Sequence, residues 1–284
     1  RAGCVGVSNA LKPLASTLVE RRAFEYAATF GLTVFLHADD AALSANGCIH
    51  EGELSTRLGL PGIPQAAETV AVARDLALIQ QTGVRAHFCR LTTQHAVRMV
   101  ARAQFDAVPV SADVAVPHLY LSEVDTVDFG ADYHFIPPLR TQEDREGLRK
   151  GLLSGTVSAL CSDHQPHEPD AKLAPFPATE PGASGVDSLL SLTLKLVDED
   201  QNLLADAIAR VTSGPAKILG IPYGDLAVGR AADLCIYAPD SNWRLDETSM
   251  NSQGKNTPFR GWEMPGRVRY TLRDGQIIFS SESP

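Results

Sequence analysis

Two imidazoles and a carboxylate cluster in ALCSDHQPH, Ala159 to His167, where an apolar run ends abruptly in Asp163, His164 and His167. A buried strand that stops on an acid and histidines is how a parallel β/α barrel presents a metal or a catalytic acid at its C-terminal rim. Taken alone, the same pattern fits a strand followed by a polar turn. A second apolar run, Leu32 to Leu36, ends comparably in His37-Ala38-Asp39-Asp40. Two other runs end differently: Gly3 to Asn9 leads into Ala10, and Val84 to Leu91 carries Arg90 at its end. Carboxylate and imidazole can hold a metal or move a proton. Methyl and guanidinium can do neither.

The elements that must position these residues alternate. Strands are expected at Gly3–Asn9, Leu32–Leu36, Val84–Leu91, Val108–Val116 and Thr156–Cys161. Helices are expected between them: Leu14–Phe30 with a stripe of Leu14, Leu18, Tyr26 and Phe30, Gln65–Gln81, one capped by Thr92 or Thr93, and Gln142–Leu153. The charge on the last, Glu143 to Lys150, reads as a solvated face. Helices at Val186–Val197, Leu203–Val211 and Pro215–Leu219 follow. The tail changes to β, at Leu226–Ala238 and Val268–Phe279, the latter turning at Asp274-Gly275. An irregular polar stretch, Pro239–Pro265, lies between. Strand-helix alternation implies a parallel sheet or barrel. Five units do not close an eight-stranded barrel. The chain also enters a strand almost at once from Arg1, with no methionine, so residues in front are expected to be missing.

Composition is that of an ordinary globular chain, 44% hydrophobic and 21% charged, with no run of membrane-span length. The formal charge of −9 argues against nucleic acid or an anionic membrane as partner. Five scattered cysteines, mostly inside apolar runs, read as reduced thiols of a cytoplasmic protein.

Several long stretches resemble the dihydroorotases of the amidohydrolase superfamily. They are LHADD, HEGELSTRLGLPGIP, AETVAVARD, PPLR, SDHQPH, PGASG, SGPAKILGI, GDLAVGRAADLCIY, NTPFRG and GRVRYTLRDGQIIF, in that order. The resemblance implies a (β/α)8 TIM-like barrel of which strands four to eight are present, residues 1–220. Residues 221–284 would form part of a small β-sandwich. Active members close or hydrolyse a cyclic amide, with zinc polarising the carbonyl and a strand-eight aspartate moving the proton.

Position by position, the resemblance implies metal ligands at His37 and Asp163, both retained. It places lost ligands at Ala10 and Arg90. Asn9 is expected to face away by strand parity, and His87 to have the wrong parity to replace Arg90. A fixed cation ~4 Å from a divalent ion costs roughly several kcal/mol at an effective dielectric near 20. Arg90 is therefore expected to pair with Asp163 as a relic of the emptied pocket. Asp163 remains as a vestigial acid or base. His167, with Gly182 and Gly185 in the loop that closes over substrate, would hold a carboxylate; His164 would make supporting hydrogen bonds. His50, His95, His118 and His134 carry no assigned role.

The resemblance is nearest to the non-catalytic dihydroorotase-like partner of bacterial aspartate transcarbamoylase. It implies a homodimeric scaffold with no cofactor. Two alternatives stay open: a working enzyme with one zinc, completed by a His-x-His outside these residues, and a carboxylate sensor without turnover.

Overall fold

The computed structural model describes residues 3–197 and 203–281; Arg1 and the outer bounds of both expected units lie outside them. Five parallel strands, Gly6–Ser8, Thr33–Leu36, Ala86–Phe88, Val110–Ala115 and Ala159–Cys161, form one sheet in chain order. Each is shorter than the run expected for it. Register aligns Ser8 with Phe35, Phe35 with His87 and His87 with Ser111. Asp113 aligns with Ala159 and Ala115 with Cys161.

Because side chains alternate across a strand, the sheet has two unlike faces. Val34, Leu36, Ala86, Phe88, Ala112, Val114 and Leu160 point one way into a single apolar core with Val72, Ile79, Val97, Val100, Leu148 and Leu152 of the flanking helices. Phe35, His87, Ser111 and Asp113 share the other face, which is far more polar.

Local chemistry sets the helix ends. Thr93 Oγ1 accepts from Ala96 N and opens Gln94–Phe105. Gly83, at φ 67°, closes Ala66–Thr82 and donates to the Ile79 carbonyl.

The first helix, Thr17–Thr29, corrects the expected stripe. Leu14, Leu18, Tyr26 and Phe30 are all exposed, and the buried face is Glu20, Phe24 and Ala27. The helix carries two apolar faces, and the one with Phe24 meets the core. Glu20 goes with it because Arg74 of the next helix supplies a counter-charge at 2.8 Å. In Gln142–Leu153, Asp144 is likewise buried rather than solvated. It accepts from Gln65 Nε2, Gln94 N and Thr141 Oγ1, tying three segments together.

The tail forms a three-stranded antiparallel sheet of Leu234–Ala238, Arg267–Arg273 and Gln276–Ser280. Asp274 and Gly275 take φ values of 49° and 78°, as a tight hairpin requires. The stretch between them is not simply polar and irregular. Leu245, Met250, Phe259 and Met264 join the main apolar core, and Trp243–Arg244 pairs with Glu263–Met264.

Candidate functional site

Three strand ends converge through unusual backbone. Ala10, Arg90 and Asp163 have φ of 49°, 56° and 45°. Left-handed residues other than glycine cost of order 1 kcal/mol and persist only when the surroundings impose them. The three positions share a left-handed φ although one carries a methyl, one a guanidinium and one a carboxylate.

His37 follows the Thr33–Leu36 strand directly. Asn9 holds it: Asn9 Nδ2 donates to the His37 carbonyl at 2.9 Å, and His37 N donates to Asn9 Oδ1 at 3.0 Å. The Asn9 amide extends the strand ladder by one rung and fixes the backbone of His37. Nothing in the sequence around Asn9 marked this role.

Arg90 is buried, 6% exposed. Its Nη1 donates to Asp163 Oδ1 at 2.6 Å and its Nη2 to His37 Nδ1 at 3.5 Å. The guanidinium sits between His37 and Asp163, the two positions at which the resemblance leads one to expect ligands. Burial and then Arg90 hold His37 down to about 4, so its ring is neutral at neutral pH. Asp163 Oδ1 also accepts from Gln165 Nε2 at 3.2 Å, while Oδ2 is buried without a partner among the described residues.

A divalent ion does not fit this arrangement. One carboxylate is already neutralised, and a permanent cation lies against both remaining donors.

A cavity of about 170 Å³ opens beside His37, walled by Asp39, Ser44, Glu68, Ile136, Pro137 and Arg140 among others. Burial raises Asp39, which accepts from Ser44 Oγ at 2.8 Å. Arg140 is spent on structure: it donates to Thr92 Oγ1, to His50 Nδ1 at 3.1 Å and to the Ile63 carbonyl. Glu68 accepts from both the amides and the hydroxyls of Thr92 and Thr93, at 2.6–3.0 Å. Sequence reasoning missed Glu68 and Arg140 as organisers, and nothing in their spacing marks them.

His167, Gly182 and Gly185 are not in the cavity wall. His167 Nε2 lies 3.0 Å from the Pro181 carbonyl, so the ring braces its own loop. Asn256 Nδ2 donates to the carbonyls of Gln165 and Gly182, joining that loop to the strand end. Gly185 is required by proximity: a Cβ there would lie 2.2 Å from the Ser162 carbonyl oxygen. His164 Nδ1 accepts from the amides of Gly185 and Val186, a supporting role as expected.

His50, His118 and His134 are all core residues, and His95 is exposed. His87 turns to the polar face, with Nε2 2.9 Å from Asp113 Oδ2.

The amidohydrolase family model matches residues 9–278. Dihydroorotase-like proteins of Pseudomonas putida and Pseudomonas aeruginosa are 48% and 50% identical, over 99% and 97% of this chain. A dihydroorotase of Syntrophotalea carbinolica is 42% identical over 98% of it. The chain spans 66%, 65% and 66% of the lengths of these three relatives. Among solved structures, the L-hydantoinase (dihydropyrimidinase) of Arthrobacter aurescens superposes with a TM-score of 0.88 at 23% identity. That match covers 99% of this chain and 66% of the hydantoinase.

Proposed function

Since this chain belongs to the amidohydrolase family, we propose that it is a dihydroorotase-like protein without catalysis, serving as a structural partner of the aspartate transcarbamoylase catalytic chain in the cytoplasm. In this reading the five parallel strands are strands four to eight of an eight-stranded barrel, and the protein is a homodimer. The observation that carries it is Arg90, whose guanidinium lies 2.6 Å from Asp163 and 3.5 Å from His37. Cyclic-amide hydrolysis in the family needs a Lewis acid at this rim to polarise the carbonyl and lower the pKa of water. Arg90 repels such an ion and Ala10 offers it no ligand atom. The one-zinc alternative meets the same guanidinium. None of the described helices is long and apolar enough to cross a membrane.

The test has two arms. Ring closure of carbamoyl-aspartate should stay at the uncatalysed rate with and without added zinc. The chain should also co-migrate with aspartate transcarbamoylase trimers in sedimentation. Zinc-dependent turnover would refute the loss of catalysis. Independent migration of both proteins at micromolar concentration would refute the scaffold role.

One observation favours a second reading, a sensor of a small cyclic or acyclic carboxylate. Asp163 Oδ2 is buried and has no partner among the described residues, a position that a ligand N–H would satisfy. A rise in melting temperature with dihydroorotate, abolished in Asp163→Asn, would establish it; no shift at millimolar ligand would dismiss it.

A further inference from the structure

The polar face of the sheet holds a second group of donor atoms that the rim site does not use. His87 and Cys89 are two apart, so both project from the same face as their strand runs on toward its rim end. Asp113 belongs to the adjacent strand. The His87 ring nitrogen, the Cys89 sulfur and an Asp113 carboxylate oxygen all lie within 4.8 Å of one another. His87 and Asp113 are buried and Cys89 is half-buried, which leaves an approach from the thiol side.

Two of the three donors, on Asp113 and His87, already face each other, and the Cys89 sulfur lies 3.9 Å from the His87 carbonyl. Asp113 Oδ1 accepts from Arg90 N at 2.7 Å, which leaves Oδ2 directed at His87 Nε2, 2.9 Å away. The other ring nitrogen, Nδ1, lies 2.7 Å from Ser111 Oγ. Metal-bound histidines use their second nitrogen in this way, donating it to an oxygen that fixes the ring and its tautomer. With Nδ1 protonated toward Ser111, Nε2 and Oδ2 are two lone-pair atoms face to face. Only a proton or a metal cation between them makes that contact favourable.

We infer that His87, Cys89 and Asp113 form a binding site for one zinc-class divalent cation on the polar face of the sheet, separate from the degenerate rim site. Imidazole, thiolate and carboxylate together select zinc, or cobalt as its stand-in, over magnesium and calcium, which take oxygen ligands. Tetrahedral ligands at zinc distances are about 3.3–3.7 Å apart. The His87–Asp113 contact must therefore widen slightly and the Cys89 sulfur move inward by a side-chain rotation. Binding releases the thiol proton to solvent and leaves the centre neutral, two anionic ligands offsetting the dication. The rim differs: its single carboxylate is already neutralised by Arg90.

The experiment is metal titration of the untagged full chain, followed by dialysis and elemental analysis. Cobalt should bind near one equivalent and produce a thiolate-to-cobalt charge-transfer band in the near ultraviolet. Cys89→Ser should abolish that band, and Cys48→Ser, at a remote buried thiol, should leave it intact. Zinc should also remove one thiol from those that react with a disulfide reagent in the wild-type chain, a readout that needs no variant. Less than a tenth of an equivalent bound, or a band indifferent to Cys89→Ser, would overturn the site. Zinc bound here without ring closure leaves the non-catalytic reading untouched, so the two ideas fail separately.

Discussion

Arg90 and Asp163, 73 residues apart, meet in a buried contact of 2.6 Å between Nη1 and Oδ1. Arg90 is fixed by more than its partner. Its own amide is held by Asp113 and its backbone lies in the left-handed region. The strand ends are thus rigid around an ion pair at a position where working relatives are expected to hold metal.

Breaking this pair from one side should be costly. Arg90→Met leaves Asp163 buried without its counter-charge, and the expected loss is about 3–5 kcal/mol. The double variant Arg90→Met with Asp163→Leu should recover much of it. Urea unfolding of both single variants and the double one measures the coupling. A double-variant loss equal to the sum of the two single losses would deny it.

Restoring one ligand should not restore chemistry. Arg90→His removes the cation, but Ala10 still offers no donor. Carbamoyl-aspartate ring closure by Arg90→His with zinc should remain at the uncatalysed rate. A zinc-dependent rise of tenfold or more would mean that one residue alone had silenced the site.

Stability should fall in acid. Burial holds His37, His50, His118 and His134 each down to about 4, against 6.5 for the free side chain. Each binds fewer protons folded than unfolded between those values, so its contribution is intact above pH 6.5 and is lost as pH falls to about 4. Asp75 opposes them. Burial and then Glu20 push it up to about 7 from 3.8, so its contribution is greatest in acid and declines as pH rises toward 7. Asp75→Asn removes the opposing group and should steepen the loss between pH 6.5 and 4. Unfolding free energies at pH 7, 6, 5 and 4 decide it, and a parallel pair of curves would contradict the assignment.

Glu68 should be intolerant even of its amide. Glu68→Gln turns one carboxylate oxygen into a donor facing the amide and hydroxyl of a threonine. The cost should be about 1–3 kcal/mol, the penalty for a buried donor left without an acceptor. Thermal unfolding of Glu68→Gln against wild type measures it.

Gly185→Ala should disturb the loop beyond the last strand. Its Cβ would lie 2.2 Å from the Ser162 carbonyl oxygen, a backbone atom that cannot move aside cheaply. Protease sensitivity around residues 162–186 should rise, with the melting temperature lowered. Unchanged cleavage would show that the loop has slack.

Much of this was legible in the residues themselves. Apolar runs broken by His37 and Asp163 marked the strand ends, and the alternation of strand and helix marked a parallel sheet. At Ala10 and Arg90 it was the family resemblance that implied missing ligands, and residue chemistry added only that a methyl has no lone pair and a guanidinium is always charged. Period and residue type are local properties, and the strand ends and the alternation needed nothing else.

Tertiary structure decided the rest. Thr17–Thr29 has two apolar faces, and only packing chose Phe24 over Leu18 and Tyr26. Glu68 finds Thr92 and Thr93 24 and 25 residues away, and Arg140 reaches His50 across 90. Asn9 serves His37 through backbone that lies beside it only once two strands pair. Buried polar groups must find partners wherever the fold brings them, and no spacing along a chain records which distant partner that is.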